Sequence, residues 1–436
     1  MESEFFGTER ISRILMRLAP PVMLAQLIQA LYNIVDSFFV GRFSDTGLTA
    51  LSIVYPLQLL MIALAVGTGV GINTAMAYFL GTRDRKRSDE AAGISTALSL
   101  VLMPAYARMS TESEAVIADV IVYGRIVCVC SIGLFLESGW TKVLQAEGNM
   151  NRPMAAQILG AVTNIVLDPL LIFGLFGLPA LGIAGAAIAT VAGQIVAAAI
   201  VWRGGYRRSP ARALYPALVR RVYRLGIPNI LMQSAYTFYI LGLNLILSTF
   251  SDQSVTALGL YYKWQTFFFI PLGAMQTCIV PVISYNYAAG SLDRCRKTLR
   301  ESILAGMALM LIGTLCFELI PGPMLRFFSR DAEVIAIGTY GFRWIGPSFL
   351  PMVTSLIFPV FFQAVGSAGK SSLLTILRTV VLFVPLGWLF AHWGLHAFWL
   401  TYPVTELITT AVGFLFYRQF LRAEAADGAA APQTAE

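Results

Sequence analysis

Long apolar runs alternate with short polar loops along this chain, and the runs stay unbroken for about 17–25 residues, the length of a helix that crosses a bilayer. Strands of a membrane barrel would instead alternate apolar and polar positions over about ten residues. Twelve runs are legible, near residues 14–40, 49–80, 91–107, 117–145, 155–177, 181–202, 222–249, 254–287, 301–320, 334–364, 372–392 and 396–417. The pattern predicts an all-α membrane protein with twelve transmembrane helices. The first ten residues are polar and acidic, and the first apolar run is too long for a signal-peptide core, so no cleavable signal is expected. The Ala-rich, polar stretch 423–436 reads as a disordered tail.

Composition agrees. Of 436 residues 57% are hydrophobic and 13% charged, where a soluble domain carries roughly a quarter charged residues. So few charges cannot cover a water-facing surface; the solvent is lipid, which admits only helices or closed barrels. The net charge of +7 has a topological origin and implies no nucleic-acid partner. Of the 31 Lys and Arg, 22 fall in one set of alternate loops, from Arg10 to Arg422, and only Arg42, Arg108, Arg326 and Arg330 in the other. Positive charge stays inside, so both termini are expected in the cytoplasm of a bacterial inner membrane. The five cysteines show no metal-type spacing and read as packing residues.

The chain repeats itself. At a shift of 207 residues, Arg17, Leu18 and Pro21 fall on Arg224, Leu225 and Pro228, Gln26 on Gln233, Phe43-Ser44-Asp45 on Phe250-Ser251-Asp252, and Tyr55 and Gln58 on Tyr262 and Gln265. Further along the shift becomes 218: Val116-Ile117-Ala118 meets Val334-Ile335-Ala336, and Gln145, Ala146 and Gly148 meet Gln363, Ala364 and Gly366. Two related six-helix halves follow, residues 1–210 and 211–422, an arrangement common in transporters with the site between repeats. The eleven residues missing from the first half fall in the third run, a deficit of about 16 Å of helix, so the third helix, about 91–107, is read as shortened.

Several segments resemble the MATE family, the multidrug and toxic compound extruders. The first run ends Asn33-Ile34-Val35-Asp36-Ser37-Phe38-Phe39-Val40-Gly41; the fifth reads Asn164-Ile165-Val166-Leu167-Asp168-Pro169, followed by Gly182-Ile183-Ala184-Gly185-Ala186-Ala187-Ile188-Ala189-Thr190; Pro281 with Tyr285-Asn286-Tyr287 and Gln363-Ala364-Val365-Gly366 match the second half. The likeness spans about residues 10–420 and is nearer the MepA-like and DinF-like branches than the NorM branch, whose second lobe carries acidic residues absent here from the seventh and tenth runs. The resemblance implies two six-helix bundles around a central cavity and an antiporter that admits H⁺ or Na⁺ while exporting drug-like, cationic amphipathic molecules, without a cofactor and as a monomer. Carried over residue by residue, it makes Asp36, Asn164 and Asp168 the coupling residues, and the ligands of Na⁺ if that is the ion. Gln29, Tyr32 and Thr190 match further polar positions of the site.

The residues themselves lead to a similar place. A carboxylate inside a span is costly and marks function by default. Gln29, Tyr32 and Asp36, spaced three then four, share one helical face, as do Asn164 and Asp168. If the faces meet, carboxylate and amide oxygens suit a hard cation such as Na⁺, and a partly dry pocket also suits a carboxylate that takes up a proton. The other reading, that these side chains only glue helices together, stays open. Pro169 after Asp168 favours a break or bend there. Glu137, Lys142, Glu318, Arg378 and Glu406 all need partners, and interhelical ion pairs are the favoured role, though Glu137 and Lys142, five apart, are a poor pair on one face. Lys263, beside Trp264 and Gln265, is a candidate for the substrate path. Arg125 and Arg343 occupy equivalent repeat positions and are expected to act as tethers. His392 and His396, four apart, are a weak metal candidate. Competing functions are a flippase of lipid-linked precursors and a membrane-embedded transferase. The first would favour a cationic cavity. The second would need clustered His or paired acidic motifs, and the chain has two His. No Gly-rich phosphate loop is present for an ATP-driven pump.

Overall fold

A computed structural model describes residues 4–43, 45–95, 126–127, 130–177 and 179–430, with the side chains of 32–61, 183 and 427–430 outside that description. Among these residues all regular structure is helical. The principal helices are α1 (Ile11–Phe43), α2 (Asp45–Gly81), α3 (Ile132–Ala146), α4 (Asn151–Phe173), α5 (Ile183–Gly205), α6 (Tyr215–Leu247) and α7 (Asp252–Phe268). They continue with α8 (Ile270–Ala288), α9 (Leu292–Leu319), α10 (Ala332–Ile345), α11 (Phe349–Ala364), α12 (Ala368–Ala391) and α13 (Thr401–Ala430). Eight described helices are long and apolar enough to cross a membrane, or up to nine if α7 and α8, bent by 50° at Phe269, form one span. Of the third run only 91–95 is described, at the end of a helical stretch 85–95; its shortened part lies outside the described residues. So does Arg125.

The chain forms two compact units, one of residues 1–237, 269–302 and 364–366, the other of 238–268, 303–363 and 367–436. In the first unit, close backbone approach sets the packing. A Cβ on Gly193 of α5 would stand 2.6 Å from the Gly160 carbonyl oxygen of α4, and one on Gly160 would stand 2.8 Å from Gly193 O. Lipid tails give helices no hydrophobic reason to associate, so such small-residue crossings carry the contact. Gly174, at φ 71°, ends α4, and Gly182, at φ 55°, starts the turn into α5; both conformations are open to glycine at little cost. The same device joins α2 to the first half of α6, where Gly226 lies against Gly67 O at 2.5 Å from its Cβ position. At the chain start, Arg294 Nη2 donates to the carbonyls of Phe6 and Glu9, each at 2.7 Å, and Asn286 Nδ2 to Phe6 O at 2.9 Å.

The second unit is held by a buried charge. Arg378 of α12 meets Glu406 of α13 with Nη2–Oε1 at 2.6 Å and Nε–Oε2 at 3.1 Å, while the Ser355 hydroxyl of α11 also donates to Glu406. The Glu406 side chain is fully buried and that of Arg378 only 8% exposed. The turns widen to a π-helix over Leu377–Phe383, which includes Arg378.

Three expectations change. α4 continues past Pro169 without a break to Phe173, because the proline forfeits only one of the hydrogen bonds that hold the helix. Arg343 is exposed on α10 and makes no ion pair among the described residues, so it is no tether there. Helix α13 extends to Ala430, past the start of the expected tail, as befits a stretch rich in alanine, the best helix former.

Two outcomes follow. Arg378→Met strands a buried carboxylate and is expected to cost about 3–5 kcal/mol of stability, with Arg378→Met/Glu406→Leu recovering most of it; thermal melts of purified protein followed by tryptophan fluorescence would show otherwise if the single variant matched the parent. Gly193→Val is expected to abolish monodisperse protein on size exclusion, whereas Gly259→Ala, whose new Cβ meets nothing within 4 Å, leaves it intact.

Candidate functional site

Asn164 and Asp168 lie one turn apart on α4, and Gly160 one turn before them continues the same face. That face packs on α5, and the glycine crossing brings Thr190 within reach. All three polar side chains are buried, with Asp168 0%, Asn164 2% and Thr190 6% exposed. With the Asn164 amide nitrogen turned to Asp168, it donates to Oδ2 at 3.0 Å, and its oxygen accepts from Thr190 N at 3.0 Å and from Thr190 Oγ1 at 3.3 Å. The hydroxyl and the backbone of α5 thus fix the amide, and the amide presents its N–H to the carboxylate. A buried polar group without partners costs free energy; here the partners come from the adjacent helix. The result is a compact set of carboxylate, amide and hydroxyl oxygens inside the first unit, a donor set that fits a hard monovalent cation or a proton.

Among the described side chains, the structure brings Asn164, Asp168 and Thr190 together and places Gln29 and Lys263 elsewhere. Asp36 and Tyr32 sit on the helical backbone of α1, with side chains outside the described residues. Gln29 is exposed on the same helix. Lys263 belongs to the second unit, is exposed, and holds its Nζ 5.1 Å over the Phe328 ring. His392 Nδ1 donates to Trp388 O at 2.8 Å and His396 packs on Tyr340 with ring centroids 4.1 Å apart, so each imidazole is engaged separately.

Glu137 and Lys142 were expected to find interhelical ion-pair partners; among the described residues neither does. Glu137 Oε1 accepts from Thr141 at 2.9 Å and Lys142 Nζ donates to Gln145 Oε1 at 2.9 Å, and both line a cavity of about 190 Å³ in the first unit. Gln26, Gln157 and Thr277 also line it, and sequence reading did not single out these residues for a site. Their signal was present, since Gln26, Gln145 and Gln157 are side-chain amides within or beside apolar runs, each needing a partner in lipid.

The MatE family profile matches residues 21–170 and again 228–389, so the two matches start 207 residues apart and end 219 apart. The chain is similar to the FAD transporter of Shewanella oneidensis, 22% identical over 91% of this chain and 92% of that one. It is also similar to the multidrug export protein MepA of Staphylococcus aureus, 22% identical over 90% of each. A solved outward-facing multidrug resistance MATE family transporter matches 97% of this chain and 99% of its own, with a TM-score of 0.89 at 24% identity. That likeness shows the fold, twelve helices in two repeats. With the duplicated profile covering most of the sequence, the chain belongs to the MatE family of membrane transporters.

Proposed function

We propose that this chain is an antiporter of the bacterial inner membrane, both termini cytoplasmic, that exports drug-like, cationic amphipathic molecules in exchange for H⁺ or Na⁺. The observation that carries the reading is the fully buried carboxylate of Asp168, held by an amide that Thr190 in turn orients. A carboxylate of this kind in a span marks an ion or proton path by default. Family membership adds the transport cycle, and the likeness to MepA supports a drug-like cargo.

In the proposed cycle the coupling cation enters from outside at Asp168, Asn164 and Asp36. Neutralising the carboxylates removes their reason to stay apart from lipid and permits α1, with Pro20 and Pro21 inside it, to change its packing and release cargo. Departure of the cation to the cytoplasm restores the cargo-binding form. Coupling requires that cation and cargo each bind one state better than the other; Asn164 supplies that difference, because its N–H stabilises the carboxylate and loses that role once the acid is neutral. Lys263 is assigned to the cargo path of the second unit.

Ethidium efflux from cells making the parent protein, Asp36→Asn or Asp168→Asn at matched levels is expected to fail in both variants, and its dependence on added Na⁺ names the ion; unchanged efflux in both variants would remove the assigned site. FAD, the cargo of the Shewanella relative by name, is the second cargo to supply. Asn164→Leu is expected to slow ethidium efflux about tenfold, since a hydrogen bond to a charged group contributes about 1.5–3 kcal/mol, while Thr190→Ser keeps the hydroxyl and most of the rate.

A further inference from the structure

Helix α3 carries two opposite charges into the first unit. Five residues separate Glu137 from Lys142, which places them about 140° apart around the helix axis at 3.6 residues per turn. Among the described residues each has one side-chain hydrogen-bond partner of its own, Thr141 for the acid and Gln145 for the amine, and no ion pair joins the two. The ammonium has three protons to place and the carboxylate about four lone-pair sites, so both retain unused capacity. The buried ion pair of the second unit, by contrast, is closed, Arg378 meeting Glu406 at 2.6 Å. Two opposite charges held inside a membrane protein but kept apart are costly without a partner between them.

The space between them is a built one. Glu137 and Lys142 line the same cavity of about 190 Å³, with the amides of Gln26, Gln145 and Gln157 on its wall. The lysine stem is seated by design of the neighbouring helix: a Cβ on Gly69 of α2 would stand 2.7 Å from Lys142 Cγ, and Asn73 Nδ2 of α2 donates to Lys142 O at 3.0 Å. An engineered cavity of about 150 Å³ admits a benzene ring, so this one, at about 190 Å³, takes the charged end and one ring of a larger ligand. Unlike that apolar cavity, it offers a cation at one point and an anion at another.

We infer that this cavity binds amphoteric small molecules, an amine of the ligand against Glu137 and a carboxylate against Lys142, with the side-chain amides on the polar edges between. The inference rests on the reading of the chain as an exporter of small organic molecules and adds a cargo class to it. The cavity is separate from the Asn164–Asp168–Thr190 cluster, none of which lines it. Charge separation also gives selectivity: a purely cationic ligand satisfies Glu137 and leaves Lys142 bare, and an anion does the reverse.

Two dyes on one frame test this, zwitterionic rhodamine 110 and its cationic methyl ester, rhodamine 123. Fluorescence polarisation with purified full-length protein in lipid nanodiscs is expected to show rhodamine 110 binding about tenfold tighter than the ester, the yield of a charge-assisted contact. Lys142→Gln is expected to collapse that ratio to near one, Lys142→Arg to retain it, and Glu137→Gln to weaken both dyes. Equal affinity of the parent protein for the two dyes overturns the inference whether or not any variant folds, as does a ratio unchanged by Lys142→Gln. The ethidium efflux assay reports separately: binding of rhodamine 110 with no export counts against the exporter reading and leaves the site standing, and export with no preference between the dyes does the opposite.

Discussion

The approach of α4 to α5 at Gly160 and Gly193 is the constraint from which the polar centre of the first unit follows. In lipid, no water satisfies an amide or a carboxylate that the protein leaves open, and helices gain little by hiding leucine from hydrocarbon. Two backbones brought within a carbonyl's reach of each other solve both problems together. They gain van der Waals contact that larger side chains would prevent. They also bring Thr190 near enough for its N–H and hydroxyl to fix the Asn164 amide. A methyl group at either glycine would have to occupy the place of the opposing carbonyl oxygen. Without the crossing, the amide that donates to Asp168 would lose the groups that orient it, and burial of the carboxylate at 0% exposure would be hard to sustain.

Three ways of keeping charge inside the membrane coexist here, and their differences separate structure from function. Arg378 and Glu406 neutralise one another at contact distance, with Ser355 completing the set; such a pair resists change, since either partner alone is worse than none. Asp168 is held by neutral donors, which stabilise the anion without cancelling it, so the carboxylate stays able to exchange its charge state or accept a cation. Glu137 and Lys142 are held by neutral groups and kept apart across a cavity. The closed pair belongs to the scaffold. The amide-held acid suits an ion that comes and goes, and the divided pair suits a ligand with two charges of its own.

Much of this was legible along the chain. Apolar runs of bilayer length gave the all-helical class, and the internal matches at shifts of 207 and 218 correspond to the two family matches, whose offset grows from 207 to 219. The i, i+4 spacing of Asn164 and Asp168 put them on one face because a single helix fixes that relation. Partners on other helices were not legible. Arg378 and Glu406 were both recognisable as charges in need of a partner, but they stand 28 positions apart with a turn between them, and periodicity within one helix says which side a residue faces, not which helix it faces. Gly160 and Gly193 were hidden among 37 glycines in apolar sequence, where only the assembled packing tells a crossing from a filler. Pro169 misled for a related reason: its local effect is a missing hydrogen bond, and the helix end is set by Gly174, whose φ of 71° no ordinary helix residue adopts.

The positions of the divided pair and of the amide-held acid within the first unit bear on how cargo and ion would exclude each other. α1 and α4 serve both places: α1 supplies Gln26 to the cavity and carries Asp36 further along, and α4 supplies Gln157 to the cavity and Asn164 and Asp168 beyond it. Gln157 and Asn164 are seven residues apart, two turns of one face. A shift of α4 or α1 along its axis therefore alters both sites at once, because side chains on one rigid helix cannot move independently. Antiport needs nothing more elaborate in kind: two ligands that compete for the arrangement of the same helices are coupled even when they never touch, and the coupling equals the difference in how well each arrangement satisfies each ligand.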